Sequence, residues 1–419
     1  MSSNGRIAVT GIGVVSALGH NQNEHWSAIL EGRCGIRHLD LFDPDGCLSS
    51  IAGQADPPPG SLPCSPTDRL PAARRRLRSR RRRSRSDSFC LAAAAEALRQ
   101  AGLTEEPALA RFGLSLGCTT AGMLEAEDAY AAVRRGGWGR ARIAPMLRVP
   151  MNTPADMLAS CLGLEGPRLS NMTACASASL AIGLAADRLR DGDAEGMIAG
   201  GGDALCRLTY SGFSSLRLLD PHPCRPFDLG RGGLSLGEGA GILVLEPWER
   251  ATRRGARPLA EFLDYGATCD AHHMTSSPAD GRGALAAMRE ALERAGIGTK
   301  DVGYVNAHGT GTAGNDSAEV QALLALFGED AARVPVSSTK SMVGHVLGGA
   351  GGVEAVTTVL ALQHQVAPPT LGVRTPEGGG RLDFVPERGR PAAIRAALSN
   401  SFGFGGANVC LVFRAAAES

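Results

Sequence analysis

The sequence is poor in aromatic residues, carries almost no net charge and has no closely spaced cysteines. Aromatic side chains make up 4% of the 419 residues, and 43 Lys and Arg against 42 Asp and Glu leave a formal charge of +1. That balance excludes an acidic tail protein and a histone-like basic protein. The 11 cysteines are an odd number and include no C-x-x-C pair, which argues against a disulfide framework and against a structural zinc site.

Long apolar runs are also absent. The N-terminus passes directly into a strand-like stretch at 7–10, and no stretch reaches the roughly 18 uninterrupted apolar residues of a membrane span. We therefore expect a soluble protein of a reducing, cytoplasmic compartment, with no membrane and no nucleic acid among its partners.

Glycine, by contrast, is abundant, with 55 residues. Short apolar runs ending in Gly alternate with Ala- and Leu-rich segments, a pattern typical of the α/β class, in which helices cover a mainly parallel sheet. We expect strands at 7–10, 112–116, 196–199, 241–245, 303–306 and 334–337. We expect helices at 89–102, 175–190, 284–295, 317–327 and 350–363.

Two distant segments have similar patterns. Residues 168–183 and 334–354 both lead from a strand into a helix whose first turn consists of Gly, Ala and Ser. Helices with so little bulk at one end pack closely against other backbones, and two of them predict a duplicated fold with halves at 1–255 and 256–419. The polar stretch 248–258 separates the halves. Chance similarity, which any α/β sequence can produce, is the alternative.

A proline-rich segment at 52–73, which is typical of a surface loop, is followed by an arginine run. Arg74–Arg85 contains nine Arg in twelve positions, and like charges at that density repel one another in an isolated helix. The run could attract an acidic partner or nucleic acid, or it could be a solvated loop. It has no interleaved aromatic residues to stack on bases.

Cys175 stands at the predicted start of a helix. A cysteine in an Ala-rich helix is commonly a small buried hydrophobe. The N-terminal end of a helix, however, favours thiolate over thiol. The small residues around Cys175 leave room for a substrate carbonyl, and its own N–H could face the resulting oxyanion.

Two histidines and a glycine-rich segment complete the candidate chemistry. His308 and His345 each follow a strand pattern and are flanked by Gly, where α/β proteins place their sites; a structural role is the alternative for each. In Asn400–Asn408, Phe402 and Phe404 lie between or beside glycines. That segment is either a tight turn or a flexible loop that offers an N–H and a ring to a ligand.

Together these motifs resemble the β-ketoacyl-acyl-carrier-protein synthases of the KAS I/II group in the thiolase superfamily, including type II polyketide ketosynthases. The resemblance extends from Ile7 to about Phe413. It rests on Thr-Ala-Cys at 173–175, His-Gly-Thr-Gly-Thr at 308–312, Asn-Asp at 315–316, Lys-Ser-x-x-Gly-His at 340–345, Glu354 and Ser-Phe-Gly-Phe-Gly-Gly at 401–406.

The resemblance implies a duplicated thiolase-like fold with α-β-α-β-α layers and a decarboxylative Claisen condensation on carrier-protein thioesters. It implies that Cys175 holds the acyl chain, and that its N–H and that of Phe404 stabilise the tetrahedral oxyanion. His308 and His345 would stabilise the enolate as neutral Nε2–H donors. Phe404 resembles a gate residue whose ring moves between reaction stages.

Further residues are assigned by the same resemblance. Lys340 and Glu354 correspond to a buried ion pair that fixes the turn carrying His345. Asp316 and Glu319 correspond to a supporting network.

The remaining implied site residues contact the substrate or its carrier. Thr310 and Thr312 match positions that hydrogen-bond the phosphopantetheine arm. Phe213 and Phe402 match positions in the substrate pocket, and Arg217 matches a position that meets the acidic carrier protein. The Arg74–Arg85 run has no counterpart in the family pattern.

The resemblance implies no cofactor and no metal of the chain's own, because phosphopantetheine arrives on the carrier protein. Expected partners are acyl- and malonyl-acyl carrier protein and a second chain, in a homodimer or in a heterodimer with a chain-length-factor homologue. An active ketosynthase subunit of a type II polyketide synthase is the main alternative. A Cys–His acyltransferase or hydrolase is a distant one, since it needs neither a second His nor Lys340 and Glu354.

Overall fold

The structure is a computed structural model that describes residues 5–57, 83–103, 109–138 and 144–416. The proline-rich segment and the arginine run fall largely outside these ranges, which exclude residues 58–82. Within them, no helix combines the length and the apolar character needed to cross a lipid bilayer.

The described residues form fourteen strands and eleven α-helices. The strands are β1 (Ile7–Val15), β2 (Arg37–His38), β3 (Ile51–Ala52), β4 (Phe112–Gly117), β5 (Arg168–Asn171), β6 (Gly196–Asp203), β7 (Gly239–Pro247), β8 (Ala260–Cys269), β9 (Val302–Asn306), β10 (Val336–Ser337), β11 (Val366–Ala367), β12 (Arg390–Pro391), β13 (Ala396–Gly403) and β14 (Ala407–Ala415). The helices are α1 (Gln22–Leu30), α2 (Arg85–Gln100), α3 (Met123–Gly136), α4 (Thr153–Leu162), α5 (Ser177–Arg190), α6 (Arg207–Ser215), α7 (Trp248–Arg253), α8 (Arg282–Ala295), α9 (Ala313–Phe327), α10 (Lys340–Val343) and α11 (Ala350–His364).

The main sheet repeats one topology twice. Its strand order is β10-β9-β13-β14-β8-β1-β7-β6-β4-β5, so each half contributes five strands. In one half β4 pairs in parallel with β5 and β6, and β7 and β1 follow antiparallel. In the other half β9 pairs in parallel with β10 and β13, and β14 and β8 follow antiparallel. This identical order confirms the predicted duplication. The halves join where β1 and β8 pair antiparallel, with Ile7 opposite Phe262.

Helices cover and separate the two half-sheets. The central helices α5 and α11 contact each other and strands of both halves. On the outside, α2 covers the first half-sheet together with α4, and α8 covers the second together with α9. The result is the predicted succession of α-β-α-β-α layers.

The small residues around the central helices allow backbones to touch. A Cβ added to Gly241 of β7 would lie 2.1 Å from the carbonyl carbon of Gly352 in α11, and one added to Gly117 of β4 would lie 2.2 Å from that of Ser177 in α5. Side chains cannot be inserted at such contacts without moving the backbone. The Gly- and Ala-rich first turns therefore bring both helix N-termini deep into the molecule.

Each predicted strand and helix overlaps an observed one, and most observed elements are longer. Six helices and the four strands of the two small sheets were not predicted. The main sheet is mixed rather than mainly parallel as expected, because five of its nine strand pairs are antiparallel. Three strands of the main sheet were also missed: β8, β13 and β14. Polar residues interrupt two of them: Glu261 in β8 is bonded to Arg6 and Arg414, and Asn400 in β13 is bonded to Glu319. Tertiary partners, which local pattern does not show, make these residues compatible with buried strands.

The last residue of the arginine run is part of the folded core. Helix α2 begins with Ser84 as its N-cap, and Ser84 and Asp87 form a capping box. The Arg85 guanidinium donates to Glu238 through Nε at 2.9 Å, and its side chain is 13% exposed. Arg85 is therefore engaged in an internal ion pair rather than presented to a partner.

Candidate active site

One thiol and two imidazoles meet in a buried cavity. Cys175 lies just before α5, His308 follows β9, and His345 follows α10. One ligand atom of each residue lies within 4.8 Å of the others, and all three residues are buried. The imidazole rings meet edge to face, with centroids 5.4 Å apart. The first half of the chain thus supplies the thiol and the second half supplies both rings.

Cys175 lies on a strained turn. Ala174, directly before it, has a φ of +47°, in a region that residues with a Cβ rarely adopt. The N–H of Phe404 donates to the sulfur of Cys175. A Cβ on Gly403 would lie only 3.2 Å from Cys175 N, so the absence of a side chain there lets the Phe404 segment approach. Residue type alone gives no sign of the strain at Ala174.

The expectation of an activated thiolate at Cys175 is wrong for this cavity. Burial raises the pKa of the Cys175 thiol to about 11, although the Lys340 ammonium and the Phe404 N–H both favour the thiolate. Helix α5 begins at Ser177, so Cys175 lies outside its first turn. Removal of water outweighs the favourable charge of Lys340 and the hydrogen bond from Phe404 N–H.

We expect iodoacetamide to label Cys175 slowly at pH 7 and faster as the pH rises. Because the pKa is raised to about 11, the reactive thiolate fraction grows by about tenfold for each pH unit below that value. Two of the described cysteines, Cys34 and Cys269, are exposed. Burial raises the pKa of the Cys34 thiol, so of these two Cys269 should be labelled first at pH 7. Peptide mapping by mass spectrometry over pH 7 to 10 measures both rates. Selective labelling of Cys175 at pH 7 would instead show that its thiol is activated as a thiolate.

The tautomer of His308 is set by Lys340. The Lys340 Nζ lies 3.3 Å from His308 Nδ1, and because an ammonium can only donate, Nδ1 accepts and the ring proton resides on Nε2. Burial, helped by the charge of Lys340 and by His345, lowers the pKa of His308 well below its ordinary value. The ring is therefore neutral. The backbone N–H groups of His308 and Gly309 donate to the Glu319 carboxylate at 2.9 and 2.8 Å.

The tautomer of His345 is set by the backbone. Its Nδ1 accepts a hydrogen bond from the N–H of Leu347 at 3.0 Å, so its proton also resides on Nε2. Burial, with a contribution from Lys340, lowers the pKa of His345 well below its ordinary value. The buried Nε2 has no hydrogen-bond partner among the described residues. A polar N–H left unpaired in a buried place points to a ligand atom that arrives from outside.

Lys340 and Glu354 form a buried ion pair beside the two imidazoles. Lys340 Nζ contacts Glu354 Oε1 and also donates to the carbonyl of His308 at 2.6 Å. Both side chains are nearly inaccessible to solvent. Burial raises the pKa of Glu354 in spite of the neighbouring ammonium. The pair closes the segment 340–354, which carries His345, and ties it to the backbone of His308.

Asp316 holds the loop that follows His308. Its carboxylate accepts hydrogen bonds from the backbone N–H groups of Thr310 at 3.0 Å, Gly311 at 3.2 Å and Phe227 at 2.8 Å. Burial raises the pKa of Asp316, and it raises that of Glu319 to about 7. Two buried carboxylates thus fix the loop from His308 to Thr312 through its own backbone.

A cavity of about 270 Å³ leads from the surface to the three reactive side chains. Thr310 and Thr312 line it, with their hydroxyl oxygens 2.8 Å apart. Phe402 also lines it and packs against the ring of His308, with centroids 5.7 Å apart. Exposed Arg217 lies at its edge.

Two stacked phenylalanines narrow this cavity. The rings of Phe213 and Phe404 are 5.6 Å apart with an interplanar angle of 25°. Phe404 is followed by Gly405 and Gly406, with φ of +84° and +82°, conformations that glycine adopts without strain. The position of the Phe404 ring therefore depends on a backbone that can change its conformation at low cost.

The thiol and imidazoles favour an anion over a metal cation. A cysteine and two histidines at this spacing could in principle hold a metal ion. The ammonium of Lys340, however, lies 3.3 Å from a ring nitrogen of His308 and would repel a divalent cation. Two neutral Nε2–H donors instead suit a developing negative charge.

Sequence reasoning missed Arg231, which lines the cavity. Its guanidinium lies 3.7 Å from the Asp316 carboxylate and donates to Ser317 Oγ at 2.9 Å. It also forms an ion pair with the Glu377 carboxylate, with Nη2 and Oε2 2.5 Å apart. The sequence marks Arg231 only as the single charged residue of the glycine- and leucine-rich segment 229–237. Its partners come from distant segments, so the pattern could not assign its role.

Comparisons with known proteins point to one family. The family described as "Beta-ketoacyl synthase, N-terminal domain" matches residues 4–251, and "Beta-ketoacyl synthase, C-terminal domain" matches residues 259–374. The chain is 38% identical over 423 residues to the 3-oxoacyl-[acyl-carrier-protein] synthase 2 of Synechocystis sp., and the match covers 98% of each chain.

Solved structures give the same picture. The ishigamide ketosynthase/chain length factor is similar with a TM-score of 0.88 and 32% identity, over 98% of this chain and 99% of that one. A type II polyketide synthase ketosynthase, solved with its acyl-carrier protein and bound to the hexaketide, is similar with a TM-score of 0.85 and 31% identity over the same shares.

Proposed function

This chain belongs to the β-ketoacyl synthase family, and we propose that Cys175, His308 and His345 carry out its condensation chemistry. The chain is a 3-oxoacyl-[acyl-carrier-protein] synthase, an acyltransferase of fatty-acid or polyketide elongation. The observation that carries the residue assignment is the meeting of one thiol and two neutral imidazoles within 4.8 Å in a buried cavity. A hydrolase or simple acyltransferase needs only one imidazole, as a base.

In the first step Cys175 takes the acyl chain from its carrier. The sulfur attacks the thioester carbonyl, a new carbon–sulfur bond forms, and the bond to the phosphopantetheine sulfur breaks. The thiol proton ends on that departing sulfur. Because the pKa of Cys175 is about 11, proton loss accompanies the attack rather than preceding it. The N–H groups of Cys175 and Phe404 stabilise the tetrahedral oxyanion.

In the second step malonyl-carrier protein loses carbon dioxide. The electrons of the broken carbon–carbon bond form an enolate, whose oxygen accepts hydrogen bonds from His308 Nε2–H and His345 Nε2–H. The enolate carbon then attacks the thioester on Cys175 and releases a β-ketoacyl product two carbons longer. The Cys175 thiolate takes up one proton from solvent, which closes the cycle. Neutral rings suffice because they donate hydrogen bonds and remove no proton.

Four buried charged residues keep these donors in place. In this proposal Lys340 and Glu354 fix the tautomer of His308 and the segment that carries His345. Asp316 and Glu319 fix the loop that begins at His308. Asp316 and Glu319 accept from backbone N–H groups of this loop. Lys340 contacts Nδ1 and the carbonyl oxygen of His308, and Glu354 contacts Lys340. These contacts support a positioning role for each residue.

The cavity walls suit an extended arm that ends in a thioester. We assign Thr310 and Thr312 to the phosphopantetheine arm, because paired hydroxyls line the approach. Phe213 and Phe402 border the acyl chain, with the Phe404 ring as a gate. Exposed Arg217 at the cavity edge meets the acidic carrier protein.

We further assign the nucleophile to a half formed by residues 1–255 and both histidines to a half formed by residues 256–419, since strand order repeats between them. The chemistry needs no metal or cofactor of the chain's own: N–H groups stabilise both anions, and phosphopantetheine arrives on the carrier. Cys175 must stay a free thiol, which supports a location in the reducing cytoplasm.

We propose that a second thiolase-fold chain covers the β5 edge of the sheet. Among the described strands β5 pairs only with β4. Directly after this strand Met172 is 63% exposed, and an exposed apolar side chain beside an open strand marks an interface. The second chain is either another copy or a chain-length-factor homologue. Light scattering of the chain alone and with a co-expressed homologue distinguishes the two.

Incubation with a panel of acyl-carrier proteins tests the assignment. Intact-mass measurement should find one acyl group added per chain, and peptide mapping should locate it on Cys175. The preferred acyl group identifies the pathway. The proposal would fail if the acyl group were found on another residue, or if none of the acyl-carrier proteins acylated the chain.

A further inference from the structure

A buried carboxylate joins the two halves next to the active site. Asp203, at the end of β6, is inaccessible to solvent. From its own half it accepts hydrogen bonds from the backbone N–H groups of Thr119 at 2.9 Å and Thr120 at 2.8 Å, and from both threonine hydroxyls. From the other half it accepts the N–H of Gly348 at 2.8 Å through Oδ2. Such a dense set of donors fixes a carboxylate firmly.

Gly348 belongs to the turn that sets the tautomer of His345. Leu347 in this turn has a φ of +51°, and its N–H donates to His345 Nδ1 at 3.0 Å. A strained residue of this kind persists only when its surroundings hold it. The bond from the adjacent Gly348 N–H to Asp203 provides such a hold, anchored in the opposite half.

We propose that Asp203 is a positioning residue for His345: through Gly348 it holds the strained Leu347 turn whose N–H keeps the His345 proton on Nε2. This inference rests on the proposed function, in which His345 acts only in the decarboxylation step. A loss of Asp203 should therefore slow decarboxylation far more than acyl transfer to Cys175.

Asp203→Asn tests this selectivity. Oδ1 accepts from both backbone N–H groups, the Thr120 hydroxyl and Cys118 Sγ. The Thr119 hydroxyl on Oδ2 can rotate to accept instead, so we expect the amide oxygen to take the Oδ1 place and the NH₂ group to face Gly348 N–H as a second donor. Displacing a catalytic group by about 1 Å can lower the reaction rate by about 100-fold. We therefore expect the rate of decarboxylation to fall by about 10- to 100-fold. The rate of Cys175 acylation should change by no more than about twofold. That is smaller than the change of about fivefold expected from the loss of one hydrogen bond.

The two reactions are measured separately. Release of carbon dioxide from malonyl-carrier protein is compared between Cys175→Ala and Cys175→Ala/Asp203→Asn. The rate of acyl adduct formation is compared between the unaltered chain and Asp203→Asn by intact mass. A parallel loss of both rates is what general destabilisation produces and would overturn the proposal.

Two threonines provide a matched pair in case Asp203→Asn folds poorly. Thr119 Oγ and Thr120 Oγ both donate to Asp203, but only Thr119 Oγ also accepts from Gly348 N–H, at 3.3 Å. We expect Thr119→Val to slow decarboxylation by about fivefold relative to acylation. Thr120→Val should leave the ratio of the two rates unchanged. Equal ratios in both variants would refute the role of Asp203.

The outcomes also separate this inference from the proposed function. If Cys175→Ala by itself releases no carbon dioxide from malonyl-carrier protein, the assignment of the histidines fails and the inference fails with it. If Cys175→Ala releases carbon dioxide and adding Asp203→Asn changes nothing, only the positioning role fails.

Discussion

Replacing Cys175 with alanine stops chain elongation and leaves malonyl decarboxylation in place. Elongation requires a covalent acyl thioester, and no other thiol lines the cavity among the described residues. We expect the elongation rate to fall by at least about 10³-fold, as for other nucleophile deletions. Decarboxylation persists because the Nε2–H donors of His308 and His345 do not depend on the sulfur.

Product analysis by mass spectrometry and release of labelled carbon dioxide measure the two rates. Cys206→Ala is the matched control, because Cys206 is also buried, also has a pKa raised to about 11 and also precedes a helix. It lies away from the cavity lining, so its replacement should leave elongation nearly unchanged. Normal elongation by Cys175→Ala would rule out the covalent intermediate.

Replacing either His308 or His345 with alanine has the opposite effect. Each variant loses one of two hydrogen bonds to the enolate oxygen, and removing one such donor typically costs about 10²- to 10³-fold. Decarboxylation should therefore fall by about that factor, while Cys175 is still acylated. His345→Gln should decarboxylate faster than His345→Ala, because the glutamine amide can donate an N–H to the enolate oxygen.

The pH dependence of decarboxylation checks the protonation state. Because the pKa values of both rings lie well below the ordinary value, the rings stay neutral across pH 6 to 8. We therefore expect a flat rate there in Glu319→Gln, which removes the carboxyl whose pKa is about 7. The donor geometry changes only at lower pH, when a ring gains a proton. A rate that still follows a titration near pH 6.5 in Glu319→Gln would show that a charged imidazole takes part. His25→Gln is the control: His25 is buried and bonded to Ser16 and Thr357, outside the cavity lining.

Much of the fold could be predicted because it is encoded locally. The helical first turns at 177–180 and 350–353 are small because backbones touch there, as the contact between Gly241 and Gly352 shows. Such depletion of bulk is visible in a sequence. Strand β8 was missed because Glu261 and Asp264 interrupt its apolar pattern, and their arginine partners lie on other elements.

The candidate site was predictable in its residue types but not in its energetics. Glycine-flanked His308 and His345 could be selected from their neighbours in the sequence. The raised pKa of Cys175 could not, because it depends on how completely the folded cavity excludes water. The strain at Ala174 and Leu347 likewise arises from packing between distant segments. The role of Asp203 could not be predicted, because its donors come from two distant parts of the chain.

The division of the site between two halves has a consequence for biosynthesis. A ribosome releases Cys175 long before it has made His308, and His345 comes later still. A nascent chain with only its first half therefore carries a thiol that has no enolate-stabilising donors beside it. In the proposed mechanism the thiol and both donors can meet only after the second half has emerged.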